Sequence, residues 1–306
     1  MSHNRRKLRY ILVDVFTDQT FGGNQLAVFT NGRGVPAEMM QRIARELNLS
    51  ESTFVLPSSD PANDYHVRIF TPAAELPMAG HPTVGTAFVL ARENLVESEQ
   101  IRFEEGVGVI PVQITVDTYG APQGARMTQP LPRFGPVFED RAAVAELLSL
   151  SPESLLADYP IEVVSCGVPF LFVPLRDLEA IRSLRLRVDI WEQLLKHYAA
   201  SDIFVFTLET EREGSTVHSR MFAPRLGIAE DPATGAASGP LGSYLVHHGL
   251  VQAEMTTRII GEQGFEMGRP SIIEIEIDRN NEASITGVRV GGRSVYMGEG
   301  YLEVEL

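Results

Sequence analysis

Short apolar or alternating runs dominate this chain, broken by a few stretches of helical period. Tyr10–Phe16 and Leu26–Thr30 read as strands on either side of a turn at Phe21-Gly22-Gly23-Asn24-Gln25. Pro36–Leu47 places Met39, Met40, Ile43, Ala44 and Leu47 at helical spacing behind a proline in the first turn. Thr53–Pro57, Tyr65–Thr71, Ile101–Phe103 and Gly108–Asp117 read as further strands. Thr83–Glu93 is apolar nearly all round, the pattern of a buried helix. A Pro- and Gly-rich stretch from Gly120 to Pro136 follows, where a crossing between domains is expected. Beyond it the pattern predicts helices at Arg141–Leu150 and Ile190–Tyr198. Strands are predicted at Val163–Val173 (bent at Gly167 and Pro169), Ile203–Thr207, Val217–Ala223, Val251–Ile260, Ser271–Ile277, Ile285–Met297 and Tyr301–Leu306. Thr234–His247 is a second small-residue-rich, apolar helix. Each half therefore has several strands and one central apolar helix. Neither shows the regular strand–helix alternation of a doubly wound parallel sheet, and sheets wrapped around a buried helix fit better.

The pattern also repeats. Arg68-Ile69-Phe70-Thr71-Pro72, a loop, and His81-Pro82-Thr83-Val84-Gly85-Thr86-Ala87 are echoed by Arg220-Met221-Phe222-Ala223-Pro224, a loop, and Asp231-Pro232-Ala233-Thr234-Gly235-Ala236-Ala237. Two similar half-domains are expected: 1–125, to which a C-terminal strand at 298–306 could return, and 126–297. In each copy the x-Pro pair is read as a helix start, with His81 and Asp231 just outside it. The exposed N–H groups and dipole of a helix start favour an anion. If the halves are related by pseudo-twofold symmetry, both starts can face one cleft and hold a carboxylate or developing enolate.

Composition narrows the function. The chain has 306 residues, 44% apolar and 22% charged, with net charge −14. Such a charge argues against a general nucleic-acid surface or an anionic membrane but leaves room for a local pocket taking a small anion. No run of 18 apolar residues predicts a membrane span. The basic opening Met1–Lys7 lacks the apolar stretch of a signal peptide. Cys166 is the single cysteine, so no disulfide forms within the chain and a cytoplasmic location fits. It is read as a buried, inert thiol, and His247-His248 as a structural helix end. No Walker, Rossmann or zinc pattern is present, and no metal site is predicted.

The candidate chemistry is sparse. Glu51, between a helix end and a strand start, could serve as a general acid–base, although on spacing alone it is one of 40 acidic residues. Asp231 could equally be a simple helix cap, and His81 a loop filler. Gly22-Gly23-Asn24-Gln25 could offer ligand contacts through its amides.

Several segments taken together resemble the PhzF-like (phenazine biosynthesis) isomerase/epimerase family. They are Val15-Phe16-Thr17 with Gly23-Asn24-Gln25-Leu26-Ala27-Val28, Leu49-Ser50-Glu51-Ser52-Thr53-Phe54, and Glu75-Leu76-Pro77-Met78-Ala79-Gly80-His81-Pro82-Thr83. Glu230-Asp231-Pro232-Ala233-Thr234-Gly235 and Gln263-Gly264-Phe265-Glu266-Met267-Gly268-Arg269-Pro270 complete the set. The resemblance implies an α/β (α+β) diaminopimelate-epimerase-like fold: two pseudo-symmetric domains, each a mostly antiparallel or mixed sheet around a central apolar helix, with the active site between them. It implies a cofactor-independent proton shift on a small carboxylate-bearing substrate, such as trans-2,3-dihydro-3-hydroxyanthranilate, and commonly a homodimer. The family's catalytic glutamate falls on Glu51, its Gly-His pair on Gly80 and His81, and its aspartate on Asp231. Asn24, Gln25, Pro82, Thr83, Gly235 and Ala236 are the further substrate contacts expected. The phenazine enzymes carry serine where this chain has Ala236. Racemases of this fold use two thiols, which one cysteine cannot supply. Two alternatives stay open: an epimerase or isomerase of another small amino or hydroxy acid, and a non-catalytic small-acid-binding protein.

Overall fold

The computed structural model describes residues 5–305, so the first four residues of the basic opening Met1–Lys7 and the end of the expected strand at Leu306 lie outside the described residues. The chain divides into two compact units, Met1–Thr128 with Gly291–Leu306, and Gln129–Val290. Both are α/β units in which a mixed, largely antiparallel sheet surrounds a central apolar helix.

In the first unit eight strands close a ring. Arg5–Val15 pairs antiparallel with Asn24–Phe29 and with the long strand Ile285–Glu305. Asn24–Phe29 lies parallel to Glu51–Pro57, which is antiparallel to Tyr65–Phe70. Tyr65–Phe70 lies parallel to Gln100–Glu105, which is antiparallel to Gly108–Val116, itself antiparallel to Pro122–Gln129. Pairing of Pro122–Gln129 with Ile285–Glu305 shuts the barrel. Inside runs the helix Gly80–Arg92, buried at every residue from Gly80 to Leu90. That explains its lack of a polar face: each fully buried Val, Leu or Phe contributes about 1.5–3 kcal/mol. The outer helix Ala37–Leu47 is amphipathic by contrast. It buries Met40, Ile43 and Ala44 against Ala27, Phe29, Phe54 and Phe70, and ends on Asn48 in the left-handed conformation at φ 51°.

The second unit repeats this pairing order. Glu162–Ser165 is antiparallel to Pro169–Pro174, which lies parallel to Ile203–Thr207. Ile203–Thr207 is antiparallel to Val217–Ala223, which lies parallel to Thr256–Gln263, itself antiparallel to Ser271–Arg279. Arg133–Val137 extends the sheet beside Glu162–Ser165. The central helix is Gly235–His247, buried from Gly235 through Val246. Three short helices, Arg141–Leu147, Leu178–Ser183 and Val188–Leu194, pack Val144, Leu147, Ile181 and Trp191 over the other face of the sheet.

Several expectations need correction. The Gly120–Pro136 stretch is largely two strands, Pro122–Gln129 and Arg133–Val137. Val163–Val173 is a hairpin turning at Gly167, and Val251–Ile260 gives way to Thr256–Gln263. The two expected final strands are one, Ile285–Glu305. The close approach of Pro122–Gln129 to that strand depends on glycine. A Cβ on Gly124 would sit 2.0 Å from the Gly292 carbonyl oxygen and 2.9 Å from Arg293 Cα. Backbone cannot move aside as a side chain can, so Gly124→Ala is expected to destabilise the protein by about 3 kcal/mol, read as a lowered midpoint in denaturant unfolding.

Candidate functional site

The strand expected from Thr53 begins two residues earlier, so Glu51 itself opens the strand Glu51–Pro57, with Leu26 opposite it on the parallel neighbour. Asn24 opens that neighbour. Gly23 before it takes φ +62°, and a Cβ there would lie 2.3 Å from the Val15 carbonyl oxygen, so the turn admits only glycine. The central helix begins at Gly80, capped by Ala79, which places His81 and Pro82 inside its first turn. His81 is therefore a helical residue and not the flanking one. Thr53 Oγ1 and Thr86 Oγ1, 2.8 Å apart, tie the Glu51 strand to this helix.

These elements bring three of the predicted residues together. His81 Nε2 lies 3.2 Å from Glu51 Oε2, and both side chains are more than nine-tenths buried. The Asn24 amide nitrogen lies 3.1 Å from His81 Nδ1. Burial pushes the His81 pKa down to about 3, against a hydrogen bond with the Gln25 backbone. The imidazole is thus uncharged near neutral pH. The Asn24 amide meets the ring at Nδ1, and Nε2 faces the Glu51 carboxylate. A neutral histidine beside a carboxylate can give or take a hydrogen bond without neutralising it. Gln25 is half-buried on the same strand as Asn24, and Gly80, Pro82 and Thr83 are buried at the helix start.

In the second unit, Asp231 ends the strand Ile228–Asp231, and the helix Gly235–His247 starts only after Thr234. Pro232 therefore precedes the helix and does not occupy its first turn. Asp231 is not the cap either: its Oδ2 accepts a 2.5 Å hydrogen bond from Thr234 Oγ1. Its carbonyl accepts from Gln263 Nε2 at 2.7 Å, while Gln263 Oε1 accepts from Thr234 N at 3.0 Å. Gly235 and Ala236 form the first turn of the helix, both buried.

Other residues resolve as structural. Cys166 is fully buried and its thiol is pushed up to about 12 by burial, which makes it a poor nucleophile. His248 at the helix end binds Glu162 at 2.7 Å. Among the described residues no group of three His, Cys, Asp or Glu side chains is placed to hold a metal, and no helix is long and apolar enough to cross a membrane. A cavity of about 510 Å³ in the second unit, lined in part by Phe134, His247 and Arg279, contains none of the candidate residues. Glu105, passed over in the sequence, is buried beneath the start of the first central helix and bonded to Thr83. The signal was its place beside Glu104 in a strand matching Glu262-Gln263 of the second repeat.

A barrel around an apolar helix, with histidine in the helix's first turn beside a strand-end glutamate, is the arrangement of the diaminopimelate-epimerase-like fold. Comparison with known proteins agrees. Residues 13–300 match the profile of the PhzC-PhzF family of phenazine biosynthesis-like proteins. A trans-2,3-dihydro-3-hydroxyanthranilate isomerase of Pseudomonas fluorescens is 35% identical over 292 residues, covering 95% of this chain and 98% of that protein. An uncharacterised isomerase of Clostridium acetobutylicum is 36% identical over 295 residues, covering 95% and 96%. The crystal structure of a PhzF-family phenazine biosynthesis protein of Bacillus anthracis superposes with a TM-score of 0.89 at 28% identity, covering 98% of this chain and all of that one. The chain belongs to the PhzC-PhzF family, and it is an isomerase.

Proposed function

We propose that the protein moves a proton between two carbons of a small carboxylate-bearing substrate, with Glu51 as the general acid–base and no cofactor. The observation that carries this is the buried Glu51–His81–Asn24 cluster, in which an uncharged imidazole lies 3.2 Å from the carboxylate. Glu51 takes a proton from a carbon made acidic by an adjacent unsaturated or carboxylate group and returns it to another carbon, so substrate and product differ only in where that hydrogen sits. His81 donates from Nε2 to the charge that develops, and the helix-start amides about Pro82 favour the substrate anion. Asp231, Gly235 and Ala236 are assigned to the same reaction on family resemblance, with Asp231 orienting the substrate. A substrate like trans-2,3-dihydro-3-hydroxyanthranilate, on which the Pseudomonas relative acts, is the first choice.

A second reading, a different small amino or hydroxy acid, is favoured by Ala236, which offers no hydroxyl at a buried position where the phenazine enzymes have serine. The test is proton NMR in deuterated buffer with the purified protein and a panel of cyclic and acyclic acids that includes trans-2,3-dihydro-3-hydroxyanthranilate. Deuterium entering a carbon position of one of them, in protein-dependent fashion, is expected. Saturable binding across the panel with no exchange anywhere would replace catalysis with a binding role.

A further inference from the structure

The internal repeat reaches a pair of residues that the proposed chemistry does not use. In the first unit His66 stands opposite Glu104 on parallel strands, and in the second His218 stands opposite Glu262. The residues that follow are Glu105-Gly106 and Gln263-Gly264. Both side chains turn to a threonine at the start of a central helix. Gln263 Nε2 lies 2.9 Å from Thr234 Oγ1, and a carboxamide nitrogen can only donate.

Glu105 meets Thr83 in a geometry that fixes its proton. Thr83 Oγ1 is 2.6 Å from the Ala79 carbonyl oxygen and 2.6 Å from Glu105 Oε1. A carbonyl only accepts, and a hydroxyl carries one hydrogen. If Thr83 donates to Glu105, two oxygens face each other at 2.6 Å with no hydrogen between the hydroxyl and Ala79. If Thr83 donates to Ala79, the other contact requires a proton on Glu105. Only the second assignment satisfies both contacts. Oε2 of Glu105 is buried without a hydrogen-bond partner among the described residues, which suits the carbonyl oxygen of an acid better than half of a carboxylate.

The surroundings agree. Glu104, on the same strand, is bound to Ser59, Asp60 and Asn63. The adjoining strand presents Gly108 opposite Glu105. From the helix side comes Thr83. Among the described residues no ion pair joins Glu105 to a cation, and burial pushes its pKa up to about 8 against the Thr83 bond. The helix start favours an anion only modestly, by less than a buried unpaired charge costs.

We propose that Glu105 is a positioning residue acting as a neutral carboxylic acid, donating a hydrogen bond to Thr83 and so fixing the helix start that carries His81, as Gln263 does for Thr234. The proposal rests on the role of His81 given above. It is tested first without activity, by the infrared difference spectrum of the protein against Glu105→Gln. The carbonyl band of a protonated acid is expected at pH 7, lost in the variant and titrating away near pH 8. A Glu105 that ionises in the ordinary carboxylate range overturns the proposal whatever the enzyme does. Thermal unfolding gives the same answer through linkage. The folded pKa lies above the ordinary value of 4.5, so this contribution to stability is full below about 4.5 and is lost as pH rises through about 8. The wild-type melting temperature should fall over that window relative to the Glu105→Gln variant.

Activity then tests the positioning. Glu105→Gln keeps a donor and should hold kcat near wild type while losing the alkaline fall near pH 8. Glu105→Leu should lower kcat about tenfold or more, the equivalent of one lost hydrogen bond. Equal kcat in both variants and wild type would leave Glu105 neutral but idle, and would end its assignment to the helix start.

Discussion

Glu51→Gln is expected to lower kcat by about 10²–10⁴-fold, the usual worth of a general acid–base, and to leave the melting temperature within a few degrees of wild type. Glutamine has the shape of glutamate and keeps a side-chain oxygen to face His81 Nε2, so the 3.2 Å contact between these side chains need not be lost. What it cannot do is take a proton from carbon. The loss should fall on kcat with little change in KM, because the proposal assigns the substrate's anion to the helix-start amides and not to Glu51. Deuterium wash-in at the reacting carbon should vanish in parallel. A variant that retains exchange at the wild-type rate would transfer the base to another residue, whereas a variant that unfolds would show that the buried carboxylate is structural.

His218→Leu should have the largest effect on stability, about 3–5 kcal/mol, the range for breaking a buried ion pair by removing one partner. His218 is fully buried, with Nδ1 at 2.9 Å from Glu262 and Nε2 at 3.0 Å from Glu266. Burial opposes its charge, but the two carboxylates prevail and raise its pKa to about 9. Without the ring, both glutamates lose their cation, although Glu262 still accepts from the backbone N–H groups of Glu211 and Arg212. The sign of the pH dependence follows. A folded pKa above the ordinary 6.5 gives stability that is complete below about 6.5 and lost as pH rises through about 9. Burial pushes Glu262 and Glu266 up, but the bond each makes with His218, joined by backbone N–H donors and, for Glu266, the Arg220 charge, holds both below the ordinary carboxylate value. Their share is present above about 4.5 and lost in acid. Denaturant unfolding of wild type and His218→Leu at pH 6 and pH 9 checks this: the gap between them should be widest at pH 6. A gap independent of pH would make the ring a packing element only.

Much of the fold can be read from the sequence because buried elements have simple signatures. Both central helices are apolar on every side, and the repeated Arg-x-Phe and x-Pro segments fall in corresponding strands and turns. What could not be read depends on tertiary contacts. The Leu178–Ser183 helix is too short to show a period. The Pro- and Gly-rich stretch forms strands because Gly124 lets one backbone pass close to another, a fact about the partner strand at Gly292. The x-Pro rule predicts that both prolines open helices, and only Pro82 does. Asp231 instead extends the preceding strand, held by Gln263 from 32 residues further on in the chain, at the end of the next strand. In the candidate site, family resemblance rather than spacing selected Glu51 from its many acidic neighbours. The proximity of Asn24 and His81 appears only when parallel strands set Asn24 near the helix start. Glu105 could not be singled out locally, since its proton is dictated by two oxygens around Thr83.

The long strand Ile285–Glu305 supplies its last residues to the first unit's barrel, beside Arg5–Val15 and Pro122–Gln129. On a translating ribosome, the early strands must therefore wait, ring open, while the whole second unit is made. An unfilled gap between two strand edges is an invitation to pair with another nascent chain. Vectorial synthesis thus lets the later-made half finish folding first, and leaves the earlier-made half dependent on the slowest, most distant contact in the molecule.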